Sequence, residues 1–136
     1  MARILVIEDN PANLELMTYL LVASGHAVEA ATTGESGIEL AVQAPPDLIL
    51  LDIQLPDISG FGVLALLRNE ARVARVPIVA VTANAMVGDR DQALAVGFDG
   101  YFSKPIEPTS FVPAIAGFLA PEQQGHAPRS PWADGA

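Results

Sequence analysis

The chain has 136 residues, 51% of them hydrophobic and 6% aromatic, which predicts one folded domain with an aliphatic core. Its formal net charge of −9 argues against direct binding to nucleic acid or to an anionic membrane, since either partner favours a basic patch. It contains no cysteine, which excludes disulfides, thiolate metal clusters and a cysteine nucleophile. No signal peptide or membrane-spanning run is visible, so we expect a cytoplasmic protein.

Five apolar runs predict the strands of a buried sheet. In chain order they are 4–7, 27–31, 48–51, 77–82 and 101–102. The second run is the weakest, with Val28 as its best β-former. The third run is unbroken and ends at Asp52, just before the turn-forming segment 56–60. This arrangement predicts a carboxylate at the carboxyl end of a central strand.

Stretches with a helical spacing of apolar residues alternate with these strands. With their caps they run over 10–25, 32–45, 59–70, 85–97 and 111–118. Thr32 and Glu35 have the spacing of a capping box at the start of the second helix. Pro113 lies inside the last helix and has no backbone donor, so we expect a kink or a late start there. Phe111 and Phe118 are expected on one apolar face of that helix.

Alternating strands and helices predict an α/β domain over residues 1–120, with helices on both faces of a doubly wound, parallel, five-stranded sheet. From residue 121 onward Pro, Gly, Gln and Ala dominate and the periodicity disappears, so we expect 121–136 to be a disordered tail. The carboxyl ends of parallel strands lie along one edge of the sheet. That edge is expected to bring together Glu8, Asp9, Asp52, Thr82 and Lys104.

Clustered carboxylates predict a site that binds cations. At ~4 Å and an effective dielectric near 20, a like-charge pair costs roughly 4 kcal/mol, so the cluster must take up protons or bind cations. Oxygen ligands favour Mg²⁺. Asp52 could act as a nucleophile that forms an acyl phosphate, while Lys104 offsets the charge of the transferred group and Thr82 donates a hydrogen bond to it.

Four segments, in consistent order, resemble the receiver domains of two-component response regulators. They are 4–10 (ILVIEDN), 47–60 (DLILLDIQLPDISG), 77–86 (PIVAVTANAM) and 101–106 (YFSKPI). The similarity covers about residues 2–119, with single-domain DivK-type regulators and the receivers of hybrid histidine kinases as the most similar groups. The resemblance implies the flavodoxin-like, CheY-like fold.

The resemblance also implies roles for residues at the cluster. Asp52 would be phosphorylated by a histidine kinase or a histidine phosphotransfer protein. Mg²⁺ would be held by Asp9, Asp52 and the backbone carbonyl of Gln54, with Glu8 acting partly through water. Glu8 stands where Asp is commoner in the family, which tolerates the exchange.

Further roles come from the same resemblance. Thr82 and Lys104 would contact the phosphoryl group, and Tyr101 would be the aromatic switch that turns inward when Thr82 is drawn to the phosphate. Gln54 and Asn84 would tune dephosphorylation. The peptide bond between Lys104 and the following proline is usually cis in this family.

The favoured hypothesis is a signalling switch rather than an enzyme, with only its own phosphorylation and autodephosphorylation as chemistry. Phosphorylation would change affinity for a downstream protein target, or favour a homodimer, through the face formed by helix 4, strand 5 and helix 5. Pro113 lies in that face, so we expect the face to differ from that of other family members.

Two alternatives stay open. The first is a Mg²⁺-dependent phosphohydrolase with an aspartyl nucleophile, although the common DxDxT pattern is absent after Asp52. The second is a receiver-like binding module that is not phosphorylated. Asp57 is interpreted as a turn residue rather than a ligand. His26 and His126 stand alone and are expected to be solvated, so neither is a credible phosphohistidine donor.

Overall fold

The computed structural model describes residues 2–83 and 89–120, in which strands and helices alternate. The strands are β1 (Arg3–Ile7), β2 (Ala27–Ala31), β3 (Leu48–Asp52), β4 (Ile78–Thr82) and β5 (Gly100–Ser103). The helices are α1 (Pro11–Ala23), α2 (Gly34–Gln43), α3 (Gly60–Arg68), α4 (Asp89–Val96) and α5 (Pro108–Ala116). The tail predicted to be disordered and the predicted start of the fourth helix lie outside the described residues. None of the described helices has the length and apolar character needed to cross a bilayer.

The five strands form one parallel sheet in the order β2-β1-β3-β4-β5, which confirms the predicted doubly wound, flavodoxin-like architecture. All five residues of β3 and of β4 are buried, as their unbroken apolar runs indicated. The edge strand β2 buries only Ala31 fully, and this explains why its sequence signal was weak. The strand that carries Asp52 therefore lies at the centre of the sheet.

Alternate residues of each strand pack on opposite faces of the sheet. Ile4 and Val6 join the core formed with α1 and α5, whereas Leu5 and Ile7 join the core formed with α2, α3 and α4. Full burial of an aliphatic side chain contributes about 1.5–3 kcal/mol, so these two cores hold the strands in register. Their register fixes which residues reach the carboxyl edge.

Side-chain caps begin α1, α2 and α3, with one difference from the sequence prediction. Asn10 accepts from the backbone of Asn13, and Ser59 accepts from the backbone of Gly62, as the sequence indicated. The cap of α2 is Thr33, whose Oγ1 accepts from the Ser36 amide at 3.1 Å. The capping box predicted from position 32 was therefore wrong by one residue, because two adjacent threonines offer the same signal.

The last helix starts before Pro113, whereas the sequence predicted either a late start or a kink there. Its N-cap is Glu107, which accepts from the amides of Thr109 and Ser110. The helix then runs through Pro113, so the late start was wrong. Phe118 lies beyond the helix end at Ala116 rather than on its face, and its ring packs against Gly100 of β5.

Candidate phosphorylation site

Three carboxylates meet at the carboxyl edge of the sheet. Glu8 and Asp9 follow β1, and Asp52 is the last residue of β3. One oxygen of each lies within 4.8 Å of the others. Glu8 is 0% exposed and Asp52 4%, while Asp9 is exposed to solvent. The cluster therefore combines two buried acids with one that faces water.

Backbone pairing beyond the strand ends positions the two buried groups that meet here. The Glu8 amide donates to the Ala31 carbonyl at 2.9 Å, which extends the β1–β2 ladder by one residue. The Lys104 amide donates to the Thr82 carbonyl at 2.9 Å, which extends the β4–β5 ladder in the same way. Both side chains are thus held by the sheet rather than by a free loop.

Lys104 is the cation that pairs with the cluster. Its Nζ contacts the Glu8 carboxylate and donates to Oδ2 of Asp52 at 3.2 Å. The Lys104 side chain is 8% exposed, so these contacts are largely shielded from water. The Lys104–Pro105 peptide bond is cis, as the family resemblance implied.

The charges at this edge do not balance. Burial raises the pKa of Glu8 from 4.5 to about 7, and the neighbouring Asp52 carboxylate adds to this effect while Lys104 opposes it. A buried acid with a pKa near neutrality is easily protonated. A bound cation would stabilise its ionised form instead, so the site favours either a proton or a cation.

The loop after β3 turns tightly around Asp52. The Gln54 amide donates to Oδ1 of Asp52 at 2.9 Å, and the Gly60 amide donates to the Ile53 carbonyl at 2.8 Å.

A cavity of about 500 Å³ lies beside Asp52. Another cavity, of about 550 Å³, lies away from this site at the amino end of β3 and β4. Asp9 and Gln54 line the cavity beside Asp52. Asp52 is therefore next to open space as well as to Lys104.

The other predicted residues have different positions relative to the cluster. Thr82 is the last residue of β4 and is 3% exposed. Tyr101 lies on β5, is half-buried, and packs against the core on the α2–α4 side of the sheet. Gln54 is exposed, while Asn84 lies outside the described residues. The structure thus brings Thr82 and Lys104 together through backbone pairing, and Tyr101 lies on the edge strand β5, three residues before Lys104.

Residues 4–116 match the response regulator receiver domain family. The chain belongs to this family. The polar-differentiation response regulator DivK of Brucella ovis is 38% identical over 116 residues, which cover 85% of this chain and 94% of that protein. DivK of Brucella anthropi shows the same identity and coverage.

Solved receiver structures share the fold. The receiver domain of a sensor histidine kinase from Pseudomonas aeruginosa, which has magnesium coordinated in its active-site cleft, is 32% identical. It has a TM-score of 0.79 and covers 86% of this chain and 96% of its own. The chemotaxis protein CheY4 of Vibrio cholerae is 25% identical with a TM-score of 0.81, covering 88% and 99%. The CheY-like fold is therefore confirmed.

The acidic cluster of this receiver domain fits Mg²⁺. Receiver domains bind this ion in their active sites. The three carboxylates present oxygen ligands alone, as a hard divalent cation requires. The Oε2 atom of Glu8 is buried and has no hydrogen-bond donor among the described residues. An ion or its water shell would satisfy that oxygen.

Two residues of the receiver domain have contacts that the sequence did not reveal. Asp57 lies in the predicted turn, but its carboxylate also accepts from the amides of Gly34 and Glu35. His26 is 4% exposed, and its Nδ1 accepts from the Ala2 amide at 3.0 Å, so the expectation of a solvated His26 was wrong. Both contacts join segments more than 20 residues apart, for which a local sequence pattern carries no signal.

Proposed function

We propose that this receiver domain accepts a phosphoryl group on Asp52, with Mg²⁺ as cofactor, from a histidine kinase or a histidine phosphotransfer protein. The observation that carries the proposal is the arrangement of Glu8, Asp9, Asp52 and Lys104 at one edge of the sheet. Membership of the receiver family supports it, because receiver domains interact with histidine kinases and downstream targets. Phosphorylation would then serve as a signal rather than as enzymatic turnover.

The reaction is a phosphoryl transfer between two nucleophiles. A carboxylate oxygen of Asp52 attacks the phosphorus atom, and the bond from phosphorus to the donor breaks. The donor group leaves with the electron pair, which gives an acyl phosphate on Asp52. Lys104, already 3.2 Å from Oδ2 of Asp52, is close enough to pair with the oxygens of a group attached there. Thr82, at the end of the adjacent strand, would donate a hydrogen bond to the same group.

The ligands proposed for Mg²⁺ are Asp9, Asp52 and the backbone carbonyl of Gln54, with Glu8 acting partly through water. When bound, the ion would offset the negative charge on the phosphoryl oxygens. The buried carboxylates favour binding of the ion. When both are ionised, the negative charge of Glu8 and Asp52 exceeds the single positive charge of Lys104, and the excess attracts a divalent cation.

The output of the switch is proposed to be a change in protein–protein affinity. Tyr101 would turn inward when Thr82 moves toward the phosphoryl group, and Gln54 and Asn84 would tune the lifetime of that group. The face formed by α4, β5 and α5 would then bind a downstream protein or a second copy of the chain. Leu94 and Val96 of α4 are 38% and 52% exposed, which supports a protein contact there. The acidic chain suits neither nucleic acid nor an anionic membrane as partner. We propose a cytoplasmic location, which fits a histidine kinase or phosphotransfer protein and a downstream protein as partners.

Intact-mass measurement tests the phosphorylation directly. The protein is incubated with Mg²⁺ and acetyl phosphate beside Asp52→Asn, whose side chain has nearly the same shape but is a poor nucleophile. We expect the mass of one phosphoryl group on the wild type, and no gain in the variant or with a chelator. Absence of the gain at every donor and Mg²⁺ concentration would favour the binding module that is not phosphorylated. Sustained release of phosphate from a phosphomonoester would favour the phosphohydrolase.

A further inference from the structure

The first turn of α2 has its backbone donors satisfied from two different parts of the chain. The amides of Gly34 and Glu35 donate to Oδ1 and Oδ2 of Asp57 at 2.8 and 2.9 Å. The Ser36 amide donates to Oγ1 of Thr33, which is the local cap. Helix starts normally leave such amides to a local cap or to water. Here a carboxylate 22 and 23 residues away along the chain accepts two of them, and this ties a second segment to α2.

That second segment is the loop over 53–59, which follows the proposed phosphorylation site. Asp57 lies five residues after Asp52 and three after Gln54, whose carbonyl is a proposed Mg²⁺ ligand. The start of the loop is held by the Gln54 amide on Asp52, and its end by the Gly60 amide on Ile53. Asp57 provides a third attachment, and it is the one that reaches a different helix.

The packing around this attachment leaves little space for the loop to move toward α2. A Cβ atom at Gly34 would lie 2.8 Å from Cγ2 of Val63 and 3.3 Å from Cβ of Ile58. The start of α2 is therefore in close contact with α3 and with the residue that follows Asp57. A displacement of Asp57 would have to break both hydrogen bonds or move the helix.

We propose that Asp57 is a positioning residue for the phosphorylation site, holding the loop that carries Gln54 in the conformation that binds Mg²⁺. The inference rests on the proposed function and adds a residue that contacts neither the carboxylate cluster nor Lys104 in the structure. Its carboxylate is directed to α2, so Asp57 acts on the cluster through the loop backbone.

A carboxylate is suited to this role because it has two equivalent acceptor oxygens, one for each amide. The amides of Glu35 and Gly34 hold the pKa of Asp57 below its ordinary value, so the group stays ionised at neutral pH. The positive end of the helix dipole favours the same charge. Asparagine offers one acceptor oxygen in place of two, and alanine offers none.

The test compares Asp57→Ala and Asp57→Asn with a matched control, Glu107→Ala. Glu107 caps α5 in the same way, with its two oxygens accepting from the Thr109 amide at 3.2 Å and the Ser110 amide at 2.9 Å. Loss of either cap lowers the melting temperature, so stability alone does not separate the variants. Two measurements separate them. One is the Mg²⁺ dissociation constant from calorimetric titration, and the other is the Mg²⁺ concentration that gives half of the maximal phosphorylation rate with acetyl phosphate.

We expect Asp57→Ala to raise the Mg²⁺ dissociation constant and the half-maximal Mg²⁺ concentration at least fivefold. The rate at saturating Mg²⁺ should change less than twofold, because the nucleophile and Lys104 are retained. Asp57→Asn should lie between the alanine variant and the wild type, and Glu107→Ala should match the wild type in both measurements. A shift for Asp57→Ala no larger than that of Glu107→Ala would overturn the inference and leave the proposed function standing.

Hydrogen exchange of the Gln54 amide provides a second readout that needs no phosphorylation. Because this amide donates to Asp52, its exchange rate reports the order of the loop. Faster exchange in Asp57→Asn than in Glu107→Ala supports the inference, and equal rates overturn it even where Asp57→Ala does not fold. Failure of the wild type itself to bind Mg²⁺ and take up phosphate would instead overturn the proposed function, and this inference with it.

Discussion

The two ends of the sheet hold their charges in opposite ways. At the amino end, Arg3 pairs with Glu29 at 2.8 Å, and the side chains are 45% and 46% exposed. At the carboxyl end, Lys104 pairs with Glu8 and Asp52, and all three side chains are at most 8% exposed. The groups are chemically similar, and they differ in their access to water.

This difference in access to water sets the electrostatic cost of the charges at each end of the sheet. An exposed pair with one partner for each charge is screened and contributes about 0–1 kcal/mol to stability. Buried carboxylates lose their hydration, and in the described structure Glu8 and Asp52 share the ammonium group of Lys104. The carboxyl end is therefore less stable electrostatically than the fold around it, and binding of a cation would relieve that cost.

The largest loss of stability is expected from removing Lys104, the cation that Glu8 and Asp52 share. Lys104→Met keeps most of the volume but leaves Glu8 and Asp52 without a positive partner. Breaking a buried pair in this way costs about 3–5 kcal/mol. The measurement is urea unfolding followed by circular dichroism at pH 8 with a chelator present.

The matched control removes an exposed cation at the other end of the sheet. Arg3→Met is expected to cost at most about 1 kcal/mol under the same conditions, because Glu29 remains solvated. Equal losses for the two variants would show that burial does not distinguish the two ends.

The pH dependence of stability should separate Glu8 from the other acids. Its pKa is raised to about 7 in the folded protein from an ordinary value of 4.5, so the folded state retains a proton that the unfolded state loses. Without metal, the free energy of unfolding should therefore fall as the pH rises from about 4.5 to 7 and level off above that. At roughly 1.4 kcal/mol per pKa unit, the decrease is at most about 3.5 kcal/mol.

Subtracting the curve of Glu8→Gln isolates this contribution, since the amide does not titrate. In saturating Mg²⁺, the free energy of unfolding of the wild type relative to Glu8→Gln should rise with pH instead of falling, because the ion binds the ionised carboxylate. Identical pH profiles for the wild type and Glu8→Gln would contradict the raised pKa.

Two glycines extend the comparison from charge to packing. At the carboxyl end, a Cβ atom at Gly60 would lie 2.6 Å from Cα of Ile53 and 2.7 Å from the carbonyl oxygen of Asp52. At the amino end, a Cβ atom at Gly100 would meet the ring of Phe118. Backbone cannot move aside as a ring can, so the cost of added volume is expected to be higher at Gly60.

We expect Gly60→Ala to destabilise the protein by about 2–3 kcal/mol and Gly100→Ala by about 1 kcal/mol in thermal unfolding. Only Gly60→Ala should weaken Mg²⁺ binding, because it displaces the backbone of the loop after Asp52. A Gly100→Ala variant with weakened Mg²⁺ binding would show that the two ends are coupled.

The predicted cluster followed from one feature of the sequence, the position of polar residues at strand ends. Glu8, Asp52 and Lys104 each follow an apolar run, and parallel strands bring those ends to one edge whatever the details of packing. The succession of strands and helices along the chain followed from the alternation of apolar runs with helical spacing, and the order of the strands in the sheet from the family resemblance. These patterns did not show that Glu8 is buried while Asp9 is exposed, because the further ladder hydrogen bond from Glu8 to Ala31 lies beyond the apolar run that the sequence reveals.

Contacts between distant segments were outside the reach of the sequence. Asp57 was interpreted correctly as a turn residue, but nothing near it indicates that its carboxylate caps α2. In the same way, nothing near His26 indicates that it is buried and accepts from the Ala2 amide, which is 24 residues away. Periodicity and caps report neighbours along the chain, whereas these contacts depend on how the elements pack.

The smallest effect is expected within the exposed pair itself. In a double-mutant cycle of Arg3→Ala and Glu29→Ala, the coupling free energy should be about 0.5 kcal/mol or less, and it should fall further in 0.5 M NaCl. Arg3 also donates to the Pro45 carbonyl at 3.2 Å, so Arg3→Ala alone should cost more than Glu29→Ala. The cycle removes that contribution, because the Pro45 contact is lost in both variants that lack Arg3. A coupling above about 2 kcal/mol would mean that exposed charges at the amino end interact as strongly as buried ones, and the contrast between the two ends would then not follow from burial.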